Sequence, residues 1–79
     1  MKRYEITEQD QKDLDNRFVY HAPAGDQTER YMALRNAARM GAKIILEMCP
    51  PSRERSVALT RLEDSVFWAN ASIARNENE

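Results

Sequence analysis

A chain of 79 residues allows one domain at most, and one this short buries only about 60–65% of the surface its unfolded form exposes, so it needs extra support. Cys49 is the single cysteine, which excludes an internal disulfide, and one cysteine with one histidine cannot fill a four-ligand zinc site; self-association is the support that remains. No run approaches the ~20 apolar residues of a membrane span, and the start MKRYEITEQDQ lacks the apolar core of a signal peptide, so a soluble intracellular protein with no metal, no cofactor and no membrane partner is expected.

The formal net charge of -1 conceals an uneven distribution. Residues 1–29 carry four basic and seven acidic groups, residues 30–62 seven and two, and residues 63–79 one and four. A basic middle between acidic ends suits an anionic ligand, or equally the neutralisation of one segment by another.

The pattern is all-α: a short N-terminal helix followed by a long antiparallel helical hairpin, in a single domain spanning residues 1–79. The first helix is expected over about residues 7–17, with Thr7 as N-cap and Glu8 and Asp10 at the positive helix start. Its apolar face is poor, little more than Ile6, Leu14 and Phe18, so it must lie on something else. A loop over residues 18–26 follows. The stretch FVYHAPAGDQTERY, residues 18–31, holds three of the six aromatics and the only histidine, more than a simple connector requires.

The second helix is expected over about residues 27–48, with Asp26 and Glu29 at capping-box spacing and its end forced at CPP, where Pro50 drives Cys49 out of the helical region. Tyr31, Leu34, Ala38, Gly41, Ile45 and Met48 form a heptad-like seam. After a Pro-Pro turn over residues 49–52, with Ser52 as N-cap, the third helix is expected over about residues 53–75, ahead of a polar tail at 76–79. Leu59, Leu62, Val66, Ala69 and Ile73 give it the matching seam. Ala38, Gly41 and Ala69 would let the two backbones approach, and a mid-helix glycine implies a packing or bending reason.

A second apolar set, including Met40, Ile44, Val57, Phe67 and Trp68, lies off the seams. Phe67 and Trp68 point about 100° apart, so one partner helix cannot cover both. Either the first helix covers this patch, or it is an oligomer interface; Met40, Ile44, Phe67 and Trp68 are assigned to such an interface.

Catalysis is not expected. Cys49 and His21 lack an orienting third group, and phosphate loops, dinucleotide fingerprints and acid pairs are absent. Binding is easier to build. Arg35, Arg39 and Lys43 form a cationic strip along the second helix, preceded by Arg30, with Phe18, Tyr20 and Tyr31 near in sequence. Rings with arginines suit a nucleotide, by stacking and charge-assisted bonds to phosphate. The competing reading makes Phe18 and Tyr31 a hydrophobic staple with solvated arginines, and a capping Asp26 would itself occupy the N–H groups of that helix end. Duplex DNA is disfavoured by the acidic overall charge balance; a small, doubly charged nucleotide needs only a few arginines.

RFVYHAPAGDQTERYMALRNAAR and CPPSRERSVALTRLEDSVFWANASIAR, together with the chain length, resemble a phage family of small helical-hairpin proteins: the anti-CBASS cyclic-nucleotide sponges, which share their hairpin with the anti-Thoeris sponges. The resemblance covers roughly residues 14–76. It implies a homohexamer of interlocked dimers that binds cyclic messengers without cleaving them, in the cytoplasm of an infected bacterium. Cyclic dinucleotides of the GMP-AMP type would sit in pockets shared by two protomers, and cyclic trinucleotides of the tri-AMP type in separate pockets. By this resemblance Tyr20, with His21 beside it, supplies the stacking ring; Arg35 faces phosphate, supported by Arg39 and with Arg30 nearby; Arg75 belongs to the trinucleotide pocket; and Pro23, Gly25 and Asp26 shape the loop. The principal alternative is a helical phage adaptor that docks on a host protein through Met40, Ile44 and Trp68. A small DNA-binding regulator is the least favoured.

Overall fold

The computed structural model describes residues 1–77, so Asn78 and Glu79 of the expected tail lie outside the described residues. Three helices, α1 (Glu8–Phe18), α2 (Gln27–Met48) and α3 (Arg53–Asn76), account for all regular structure among them. The expected tail therefore starts one residue later, because Asn76 belongs to α3.

Local chemistry sets each boundary. At α1, the Thr7 hydroxyl accepts from the Asp10 amide at 3.0 Å while the Asp10 carboxylate accepts from the Thr7 amide at 3.0 Å. This reciprocal capping box accounts for the lowered pKa of Asp10, whose charged form is held chiefly by the Thr7 backbone N–H. At α3, the Ser52 hydroxyl accepts from the Arg55 amide at 3.1 Å and donates to the Pro50 carbonyl at 3.0 Å. The expected capping box of α2 does not form. Asp26 occupies the N-cap position but makes no side-chain cap bond. Its backbone there (φ -88, ψ 10) lies outside the extended region of a side-chain-capping residue, and its carboxylate turns to Arg30 Nε at 3.1 Å. Asp26 therefore does not occupy the helix N–H groups, contrary to the expectation. At the other end Cys49 is extended, as Pro50 requires, and Arg55 Nη1 donates to the carbonyls of Leu46 in α2 (3.3 Å) and of the C-cap Cys49 (3.2 Å).

The α2–α3 pair is the packed unit. The seam residues Leu34, Ala38, Gly41 and Ile45 of α2 and Leu59, Leu62, Val66, Ala69 and Ile73 of α3 are all half-buried, and these two helices pack on each other. Met48 has the seam spacing but is 78% exposed, because it sits at the last position before the Pro-Pro turn. No apolar side chain among the described residues reaches full burial. The molecule measures 51 × 41 × 13 Å, so it is about one helix diameter thick. Its radius of gyration is 17.6 Å, against about 12 Å for a compact chain of this length. Its accessible surface of 6967 Å² exceeds by roughly 2,000 Å² that of a compact monomer of 9.2 kDa.

Helix α1 does not supply the missing layer. It has no buried residue and no packed interface with α2 or α3 of the kind those two share. Phe18 is 79% exposed, so it does not staple to Tyr31 across the loop. The possibility that α1 covers the second apolar set is thereby removed: Met40, Ile44, Phe67 and Trp68 are all exposed.

Gly41 lies on the seam, yet a methyl group there would sit 3.7 Å from Leu62 Cδ2, an ordinary contact. Close approach within the hairpin therefore does not demand glycine. Gly41→Ala should stabilise the protein by about 0.5–1 kcal/mol through helix propensity, read as a rise in the urea midpoint. A fall instead would mean that another copy packs against Gly41.

Candidate functional site

Groups already committed to the fold can be separated from those left over. Lys12 pairs with Glu8, Arg17 with Asp13 and Arg61 with Asp64, all within one helix and exposed, so these pairs contribute little. Arg55 caps α2, a role that sequence spacing did not reveal. Arg30 is held most fully. Its guanidinium grips both carboxylate oxygens of Glu77, one bond measuring 2.8 Å, and its Nε donates to Asp26.

Gln27 extends this clasp. It is the one buried residue among those described, at 5% exposure. Its Nε2 donates to Glu77 Oε1 at 3.2 Å, and its Oε1 accepts from the Ala24 amide at 2.9 Å. The end of α3, the start of α2 and the loop are thus joined through side chains 50 positions apart in sequence. The acidic end does neutralise part of the basic middle, at Arg30 through Glu77 and at Arg61 through Asp64. Arg30, expected at the ligand, is engaged with Glu77 and Asp26.

The loop carries Tyr20, His21, Pro23, Gly25 and Asp26. His21 is half-buried and its Nε2 lies 2.8 Å from the Asn16 carbonyl. A carbonyl only accepts, so His21 donates from Nε2 and ties the loop to the last turn of α1. This is the local satisfaction expected of a loop histidine. Gly25 has φ +55, the left-handed region that disfavours other residues, which supports a shaping role. Tyr20 projects into solvent at 82% exposure and lines none of the described grooves.

Arg3, Arg35, Arg39, Lys43, Arg53 and Arg75 are left over, and of these Arg35 and Arg39 line a groove. Both are exposed, and neither makes a hydrogen bond or ion pair among the described residues. The groove, of ≈ 520 Å³, runs along one face of the hairpin, floored by Ala38, Leu59, Leu62 and Val66 and walled by Phe67. Glu63 is the acidic residue of this lining, so two guanidiniums stand against one carboxylate. A second, smaller recess continues past Arg35 and Asn70 to Tyr31 and Ala74. Sequence reading did not single out Asn70, and its polarity at an otherwise apolar stretch of α3 was the available signal. Trp68 lies outside this groove, as its 100° offset from Phe67 requires. Arg75 is half-buried at the end of α3 and lines neither recess.

Within one chain, therefore, Arg35, Arg39 and Phe67 come together, whereas Tyr20 and Arg75 are not brought to them. The arrangement offers fixed cations beside apolar walls, suited to holding an anion with flat apolar parts. Among the described residues no cluster of histidine, cysteine and carboxylates could hold a metal ion, and no helix is long and apolar enough to cross a membrane.

The profile of the family described as "Acb2/Tad1, hairpin domain" matches residues 10–74. Comparison with curated proteins and with solved structures gave no match. The matched range takes in most of α1, the loop, α2 and nearly all of α3.

The clasp makes a testable claim. Glu77 is held at about 2, below its ordinary 4.5, first by the Arg30 guanidinium and then by the Gln27 amide. A carboxyl depressed in the fold stabilises it above its unfolded pKa, and that contribution fades as pH falls from 4.5 towards 2. Melting temperature should drop across this acid window, and Glu77→Gln should flatten the drop. An identical acid profile in the variant would show that other carboxylates govern it.

Proposed function

Because the chain belongs to the Acb2/Tad1 hairpin family of anti-CBASS and anti-Thoeris sponges, we propose that it binds cyclic di- and trinucleotide messengers of bacterial antiphage immunity and withholds them without cleavage. The family points to an anti-defence sponge role in the infected host; the ligand class and the residues that meet it are the proposal. The observation that carries it is the Arg35–Arg39 strip, unpaired among the described residues, beside an apolar groove, on a hairpin in which Arg30 of α2 and Arg55 of α3 have structural partners. A cyclic dinucleotide has two phosphates and two flat bases, which such an array matches.

The pocket is completed between copies. Tyr20 stands clear of its own groove, so its ring stacks on a base held against the Arg35 of a second protomer, with His21 fixing the loop beneath it. The second protomer docks through Met40, Ile44, Phe67 and Trp68, whose exposure in the single chain is otherwise unexplained. The surface excess of roughly 2,000 Å² per chain is of the size that obligate assemblies bury, and a hexamer is the assembly proposed. Arg75, which lines neither recess, serves a separate trinucleotide pocket. Sequestration needs no chemistry at the ligand, so no catalytic residue is assigned and the site acts without a cofactor or metal. Duplex DNA is not a partner in this reading.

The same exposed Met40, Ile44 and Trp68 favour one other reading, a phage adaptor that uses them to bind a host protein. Calorimetry of the purified protein against a panel of cyclic di- and trinucleotides separates the two: saturable heat supports the sponge, and none with any member supports the adaptor. Tyr20→Ala should lose about 1–3 kcal/mol of dinucleotide affinity, the worth of one stacked base. Arg75→Ala should weaken trinucleotides selectively; equal loss of both classes would contradict separate pockets.

A further inference from the structure

Asn70 stands where the two recesses meet and lines both of them with Arg35. Its Oδ1 is closed off from solvent and accepts no hydrogen bond, the one side-chain atom so placed among the described residues. An unpaired buried acceptor destabilises a fold, and an aliphatic side chain among Val66, Ala71 and Ala74 would avoid the penalty. The adjoining charged groups narrow the candidates for its partner. Glu63 presents only acceptors, and Arg39 lines one recess but not the other. Arg35 is the donor that shares both recesses, and it too lacks a partner among the described residues.

An acceptor without a donor thus lies beside a donor without an acceptor. We propose that Asn70 is the positioning residue for Arg35: when an anion enters the groove, one guanidinium N–H of Arg35 turns onto Asn70 Oδ1, and the remaining fork faces the phosphate. The guanidinium is planar, so fixing one edge aims the other, and a bidentate phosphate contact needs that alignment. In the free chain the long Arg35 side chain is exposed, and Asn70 bears its unpaired acceptor. Lysine at position 35 would offer a point charge with no fork to aim, so Asn70 matters only while residue 35 is arginine.

This inference rests on the sponge reading, and its test separates the two. Affinity for a cyclic GMP-AMP is measured for the wild type, Asn70→Ala, Arg35→Lys and the double variant, each with its melting temperature and native mass. Asn70→Ala should weaken binding roughly tenfold, the worth of one net hydrogen bond, without lowering melting temperature or mass. In the Arg35→Lys background the same change should have no further effect. Unchanged affinity in Asn70→Ala, equal loss in both backgrounds, or a loss that tracks a lower melting temperature or mass would each overturn the proposal. If the wild type binds no cyclic nucleotide, the sponge reading fails, and ¹⁵N NMR of the Arg35 side chain with inorganic pyrophosphate decides the pairing independently. An Arg35 Nε–H signal that shifts with pyrophosphate in the wild type but not in Asn70→Ala retains it; signals that respond alike in both discard it.

Discussion

Two helices packed along one seam bury one stripe each, and everything else about this protein depends on that shortfall. A hairpin about one helix thick leaves its seam residues half-buried and no apolar side chain fully enclosed among the described residues. Small domains reach only marginal stability even when compact. Here the disulfide and zinc routes to extra stability are closed by composition, and α1 lies apart from the hairpin rather than over it. The exposed Met40, Ile44, Phe67 and Trp68 are then not incidental: they are the surface on which the proposed assembly closes. On this account stability and ligand binding share one solution, since bringing copies together both covers those side chains and carries the loop of one to the groove of another.

The electrostatics divide along the same line. Arg55 and Arg30 hold the two ends of the hairpin, one by meeting the carbonyls at the end of α2 and the other by gripping Glu77. With the ends secured, Arg35 and Arg39 between them have no hydrogen-bond or ion-pair partner among the described residues, and they line the groove. Gln27 links this arrangement to the loop: because its amide holds both Ala24 and Glu77, the segment with Tyr20 and His21 is set by the far end of α3. Loop and clasp are joined by these bonds, while the cationic strip, on the same helix α2, lines the groove.

The architecture was largely legible in the residues. Paired 3-4 spacings predict the hairpin, Pro50 and Pro51 its turn, and Thr7 and Ser52 the starts of α1 and α3. Position-specific geometry was not. Asp26 and Glu29 have capping-box spacing, but spacing does not report backbone angles, and Asp26 turned to Arg30 instead. Gly41 suggested a close approach that the 3.7 Å clearance does not require. The Arg30–Glu77 grip and the orphaned Asn70 carboxamide depend on side chains distant in sequence or on burial of a single atom, and neither leaves a periodic trace. Tyr20 and Arg75, which entered through family resemblance, do not line the groove of their own chain.

The central claim is that the single chain is energetically incomplete. Thermal unfolding followed over a hundredfold range of protein concentration tests it most directly, because a fold completed by association melts at a temperature that rises with concentration. The account predicts such a rise, with a native mass well above that of one chain at the upper end. A melting temperature that stays constant, together with the mass of a monomer throughout, would contradict it.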